Sequence, residues 1–192
     1  MSKITTFTYS LAIGALLVGG CGGDDPVSVS EPIGINLKFK SGDSNMGAIS
    51  DEKCITTESG NPWAAFISAA RAEIGGDPTD IELDGLTLLL STDSKAVTEL
   101  KEIWNGTVDV QFEMNDTNNI FAVGNAVIDD TLAGRTAEFT PTFDFSLLNS
   151  ADRDKLFNGS FKVMIGGPVA TPFDSKGAEA EFQLTLEFSA FE

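Results

Sequence analysis

Four stretches of this 192-residue chain carry residue types at spacings that chemistry uses. Ser50-Asp51-Glu52-Lys53 sets a lysine one helical turn from a serine, the arrangement by which some acyl-transfer enzymes activate a serine nucleophile. The companion Ser-Asp-Asn and Lys-Thr-Gly motifs do not occur, so the match reads as chance. Asp43-Ser-Asn-Met-Gly47 opens like a calcium-binding loop, but its fifth position is Gly47 and no Glu stands at its twelfth. Asn115–Asn119 and the pair Asp129-Asp130 are rich in oxygens, yet turns favour Asn and Asp for backbone reasons alone. There is no His anywhere, which removes His-dependent triads and His-ligated zinc together. No phosphate-binding glycine loop, nucleophile elbow or dinucleotide fingerprint is present. The expectation is a protein that is not an enzyme, with no catalytic residue, metal site or cofactor.

Charge narrows the partners. Twelve Lys and Arg face 29 Asp and Glu, a net charge of −17. Such a surface repels phosphate backbones, so nucleic acid is excluded as a partner. A 42% hydrophobic composition with 14 Phe supports a real core rather than a disordered chain.

The residue with the clearest chemistry is Cys21. Before it stand one charge, Lys3, and an apolar run ending Leu11–Gly20. The most apolar part is about half the ~20 residues a membrane-spanning helix needs. Gly14, Gly19 and Gly20 disfavour a buried helix. A charged start, apolar middle and small-residue exit make a secretory signal peptide over residues 1–20. Its exit, Leu17-Val-Gly-Gly-Cys21, resembles the lipobox of bacterial lipoproteins: aliphatic, small, small, cysteine. The resemblance covers this N-terminal segment alone. It implies cleavage between Gly20 and Cys21 and diacylation of the Cys21 thiol, which makes Cys21 the lipid-attachment residue. Two or more acyl chains hold a protein to a bilayer where one does not. In that family, Gly22 in place of Asp after the cysteine implies the outer membrane. With Cys21 acylated, Cys54 lacks an intramolecular partner and is expected as a small buried thiol. The rival is a Cys21–Cys54 disulfide in an unlipidated secreted protein.

The elements that carry these residues follow from periodicity. Residues 21–32 are small, polar and broken by proline, and read as a lipidated flexible tether. From Ile33 onward, apolar residues alternate. Ile33, Ile35, Leu37 and Phe39 share a face, as do Val108, Val110, Phe112 and Met114, and so do Phe161, Val163 and Ile165. The last stretch, Glu179–Phe191, alternates most cleanly. Phe139, Phe143, Phe145 and Leu147 align in a further strand, with Pro141 marking an edge or bulge. Asp80–Leu90 reads as one strand bulged near Gly85. Apolar residues on both parities of Asn118–Ile128 suggest a central strand covered on both sides. Helices are few: Pro62–Ile74, with Asn61 as N-cap and Gly75 past its end, then Ser94–Trp104 and Ser150–Phe157. The last two each run into Asn-Gly and a strand, Ile103-Trp-Asn-Gly-Thr-Val108 and Leu156-Phe-Asn-Gly-Ser-Phe161. These matched phrases predict equivalent corners where the chain crosses between sheets.

The sequence therefore predicts a mainly β fold, an antiparallel β-sandwich of about seven strands with two or three short helices, in one domain over 33–192. A loop-helix insertion is expected at 41–76, and its polar part, Ser41–Gly60, is the first place to look for binding; the competing reading of that part is a plain loop holding an edge strand at Lys53-Cys-Ile-Thr-Thr57. The expected role is a non-enzymatic interaction or structural module, anchored to the outer membrane through lipid on Cys21, with an envelope protein as partner. The alternative is a ligand-binding module for surface glycans or calcium-dependent recognition.

Overall fold

Alternation becomes antiparallel pairing. The computed structural model describes residues 27–56, 61–175 and 177–192. Nine described strands form two antiparallel sheets. The strands are β1 (Ser28–Lys40), β2 (Ala48–Ile55), β3 (Asp80–Leu90), β4 (Gly106–Met114), β5 (Ile120–Ile128), β6 (Thr136–Glu138), β7 (Thr140–Pro141), β8 (Phe161–Pro168) and β9 (Glu179–Phe191). Three helices accompany them: α1 (Pro62–Ile74), α2 (Ser150–Phe157) and α3 (Thr171–Ser175). The first sheet runs β1-β9-β3-β6 and the second β2-β8-β4-β5-β7. Inward residues of both sheets form one core, in which Phe112, Trp104, Leu88 and Leu184 are fully buried. This is the expected mainly β sandwich, with nine strands in place of about seven.

Successive long strands alternate in direction, so the molecule has two distinct ends. At the near end lie Ser28, Phe191 and Asp80, which share one register. The connections 56–79, 115–119 and 142–160 join strands there. At the far end lie Lys40, Glu179 and Leu90, with the connections 41–47, 91–105, 129–135 and 169–178.

α1 follows its punctuation. Asn61 accepts the Trp63 N–H at 2.9 Å, and Gly75 closes the helix in the left-handed region at φ 83°. Its buried face, Trp63, Phe66, Ile67 and Ala70, packs on the first sheet. α2 is capped by Asn149, which accepts the Asp152 N–H.

Several elements differ from expectation. β1 starts at Ser28, so the tether does not reach residue 32. Ser28–Pro32 pair with Phe191–Glu187, and Pro32 is tolerated because β1 is an edge strand. The 41–76 segment is not an insertion of loop and helix alone, because it contains β2. That strand's alternation is hidden by solvent: only Ile49 and Ile55 are buried, and the rest carries the charges that blunt an exposed edge. Asp80–Leu90 is one strand with its bulge between Leu83 and Gly85, as expected. β5 is not covered on both sides. A bulge at Val123, between the Val110/Gly124 and Gln111/Ala122 pairs, switches the inward parity. Phe121 and Val123 face in before it, and Gly124, Ala126 and Ile128 after it. Ile120 and Val127 are left 55% and 63% exposed.

The strand expected through Phe139–Leu147 is broken. β6 pairs with β3 of the first sheet, β7 with β5 of the second, and the chain crosses between them at Phe139. Residues 145–147 form a 3-10 turn instead, and Leu147 is exposed. The helix expected over Ser94–Trp104 shrinks to a 3-10 turn at Leu100–Glu102. Its flanks are captured by neighbouring strands, with Lys95 bridged to Glu179 and Trp104 to Val169. Ala96, at φ 60°, is left-handed and cannot continue a helix.

The two Asn-Gly phrases are not equivalent corners. The first follows a crossing between sheets. The second joins β7 to β8 within one sheet, with Gly159 ending α2 in the left-handed region at φ 59°. They are related differently: β4 and β8 are antiparallel neighbours, so the phrases sit at opposite ends of the sandwich. Each drives a ring into the core just before its strand. Trp104 packs on Phe39 and Phe182 at 5.2 and 5.1 Å, and Phe157 on Phe145 at 5.8 Å.

Candidate functional site

The far end of the first sheet carries a surface groove of about 770 Å³. Its floor is one cross-strand row, Asn36 of β1, Gln183 of β9 and Leu89 of β3, placed side by side by the register. The outward half of each alternating strand supplies these side chains. Leu89, 42% exposed, is the apolar element of the row. β2 forms one wall with Asp51, Glu52 and Lys53, and Asp93 and Arg135 form the other.

The walls are tied to the floor. Asp51 accepts the Lys38 backbone N–H at 2.8 Å and so joins the edges of the two sheets. Lys38 reaches Glu181 at 2.8 Å and Glu179 at 3.3 Å, and Lys95 reaches Glu179 at 2.9 Å. These carboxylates, Glu181 first, raise the Lys38 pKa above its usual value. The ammonium of Lys95, then that of Lys38, holds Glu179 below the usual carboxylate range. Arg135 donates Nε and Nη2 to Leu90 O at 3.0 and 2.6 Å. Lys53 and Asp93 form no ion pair with any described residue. Such a groove offers amides, both signs of charge and one aliphatic patch.

At the same end lies the tip of the β1–β2 connection, a one-bridge hairpin closed by Asn45 and Ala48. Asn45 and Ala48 exchange backbone hydrogen bonds, and the two residues between, Met46 at φ 53° and Gly47 at φ 81°, are both left-handed. That is the type I′ signature, which usually calls for Asn or Gly where Met46 stands. The Met46 side chain is fully exposed.

No family model matches this chain. No curated protein matches it either.

Cys21, the lipid-attachment residue read from the sequence, lies outside the described residues, as do residues 57–60 of the Ser41–Gly60 region. The remainder of that region divides between the hairpin tip and the groove wall. Cys54 is exposed on β2, not buried, because its position on this edge strand points to solvent. Ser50 and Lys53 lie on a strand, not a helix, so they are not one helical turn apart.

The oxygen-rich turns sit elsewhere, and several of their side chains are tied into the fold. Asp152 of α2 is completely buried and accepts from Thr117 Oγ1 and Asn119 Nδ2, both at 2.8 Å, and from Asn149 Nδ2 at 2.6 Å. This clamps α2 to the 115–119 turn at the near end, where Lys155 also pairs with Asp116. Asp129 accepts the Thr131 hydroxyl and N–H, which lower its pKa. Among the described residues, no three His, Cys, Asp or Glu converge as metal ligands would.

Sequence reasoning missed most of the groove. Asn36, Lys38, Leu89, Glu181 and Gln183 are each legible as outward positions, but only the register brings them together.

Proposed function

We propose that this protein is a bacterial cell-envelope lipoprotein, held to the outer membrane by acyl chains on Cys21. Its sandwich serves as a non-enzymatic interaction module that meets an envelope protein with its far end. One observation carries the reading. β1 begins at Ser28, close behind Cys21, and runs straight to the groove. Lys38 stands ten residues on, roughly 33 Å at about 3.3 Å per residue. A chain anchored before Ser28 therefore presents the groove and Met46 away from the bilayer. The fields of an acidic protein and a mixed-charge groove suit a polar protein surface with some basic character.

The glycan reading draws on the Asn36–Gln183 amide row, whose donors and acceptors suit hydroxyls. It lacks a stacking ring, because no described Phe or Trp is exposed. The protein-partner reading is therefore preferred.

Two measurements test the proposal. Cells fed an alkynyl palmitate analogue should label the native chain and leave Cys21→Ser unlabelled; label retained on Cys21→Ser refutes the anchor. A photo-crosslinking residue at Leu89 should trap envelope proteins in intact cells, while one at Glu82, on the near half of the same sheet face, should trap few. Equal yields from both positions would contradict a far-end interface.

A further inference from the structure

The second groove, about 560 Å³, opens where the two sheets separate between β5 and β6. It exists because the chain changes sheet at Phe139. Gly124 permits that crossing: a Cβ there would lie 2.5 Å from Leu86 Cδ2 and 2.9 Å from Thr140 O. β7 covers β5 only at Gly124 and Asn125, with one more bond from Thr142 N to Val123 O. Continuing the antiparallel alternation, the N–H and C=O of Val127 point the same way as those of Asn125, away from β4. Residue 138 would meet them if β7 continued backwards, but Glu138 pairs with Thr87 of the first sheet instead. No described strand takes its place.

The facing edge is open too. Arg135 O accepts from Leu90 N and Phe139 N donates to Leu86 O, so the odd residues of this stretch face β3. The backbone groups of Thr136 and Glu138 therefore face the groove. Two strand edges, one from each sheet, look at each other across a space lined by Ala126, Val127, Leu132 and Ala137.

We propose that this seam is a slot for β-strand addition, taking an extended segment of a partner protein that alternates apolar with lysine or arginine residues. Backbone pairing to Val127 on one side and to Thr136 and Glu138 on the other supplies affinity, and alternate side chains supply specificity. The apolar set faces inward onto Ala126, Leu132 and Ala137. The basic set faces outward beside Glu138, which is exposed and in no ion pair with a described residue. Arg135 does not offset it, since its guanidinium is folded back onto Leu90 O. A second copy of so acidic a chain is a poor occupant for the same reason. This slot is separate from the far-end groove and does not depend on lipid at Cys21.

Hydrogen exchange on the full chain in detergent tests it, first alone, then with an acetylated Lys-Val octapeptide repeat or its Glu-Val counterpart. Alone, the amides of Val127, Thr136 and Glu138 should exchange fast while their neighbours in the ladders are protected. The Lys-Val peptide should slow all three about tenfold or more, and the Glu-Val peptide should not. Glu138→Lys should weaken the Lys-Val effect about fivefold. Val127→Pro, which deletes only an outward N–H, should weaken the slowing at Thr136 and Glu138 with little change in melting temperature. Protection of all three amides in the free protein, equal protection by the acidic peptide, or no protection by either would each overturn the proposal. Concentration-dependent dimerisation that protects the same amides would assign the slot to a second copy and overturn it as well.

Discussion

At the near end, Trp63 projects inward from α1 and donates its indole N–H to Leu156 O of α2 at 2.8 Å. At the far end, Trp104 is as deeply buried, but its Nε1 has no partner among the described residues. The contrast extends outward from the two rings. The near end is covered by capped helices, a carboxylate with three side-chain donors, and Arg153 stacked on Phe145 at 4.5 Å. The far end is closed by loops whose residues include left-handed Met46 and Ala96. The near end has left-handed residues too, Asp116 and Asn118, but Asp and Asn tolerate that region better than Met and Ala, so the costlier backbone strain lies where the groove and hairpin tip are displayed. Binding surfaces are commonly drawn from the less stable end of a fold.

Removing the near-end clamp should have the largest effect. Asp152→Ala removes a buried carboxylate and its three part-buried hydrogen bonds from Thr117, Asn119 and Asn149, and should cost about 3 kcal/mol. Thermal unfolding should fall by roughly 6–12 °C for a domain of this size. A cost as small as that of a surface substitution would mean the near end is not the anchor of stability. The paired indole substitutions sharpen the comparison. Trp63→Phe strands Leu156 O and opens space, for about 2 kcal/mol or more. Trp104→Phe opens similar space but removes a buried, unpartnered N–H, so it should cost at least about 1 kcal/mol less. Denaturant midpoints of the two variants decide it, and equal losses would break the contrast.

A smaller effect is expected at Ala96. Its left-handed conformation costs an L-residue about 1–2 kcal/mol, and glycine's own entropy offsets part of the relief. Ala96→Gly should stabilise by about 0.5 kcal/mol, whereas the same exchange at Ala70, inside α1, should destabilise by more than that, since it also opens core space.

The ion-pair cluster on the groove rim gives the smallest effect. Glu179 is held below its usual 4.5, so its contribution is complete above that pH and is lost as pH falls through the lowered value. Lys38 is held above 10.5, so its contribution is complete below that pH and is lost as pH rises through the raised value. Lys38→Met should flatten both limbs of a melting-temperature profile slightly, since exposed pairs contribute little.

The fold class was legible because Ile33–Phe39, Val108–Met114 and Glu179–Phe191 alternate without interruption, each having one face in the core. α1 and α2 were legible from Asn61, Gly75 and Gly159. What escaped did so for tertiary reasons. β2 was legible only as a competing reading, a short edge strand starting at Lys53, because an edge strand with Asp51, Glu52 and Lys53 has little to bury. β5 looked two-sided because one extra residue at Val123 changes which parity faces inward. The stretch Ser94–Trp104 spaces Val97, Leu100 and Trp104 like a helix, but Glu179 and Val169 claim its backbone. The groove could not be read from one strand at a time, since Asn36, Gln183 and Leu89 are far apart in sequence. Both the row they form and the β5–β6 seam depend on register and on the place where the chain changes sheets.

In the proposed arrangement the sandwich hangs from lipid at Cys21, with its helix-lidded end inward and its groove outward. Mass spectrometry of the N-terminal peptide, taken from the native protein in cell envelopes, tests it most directly. The predicted result is a chain that begins at Cys21, carrying a thioether-linked diacylglycerol. A free Cys21 thiol, or a chain that still holds residues 1–20, would contradict it.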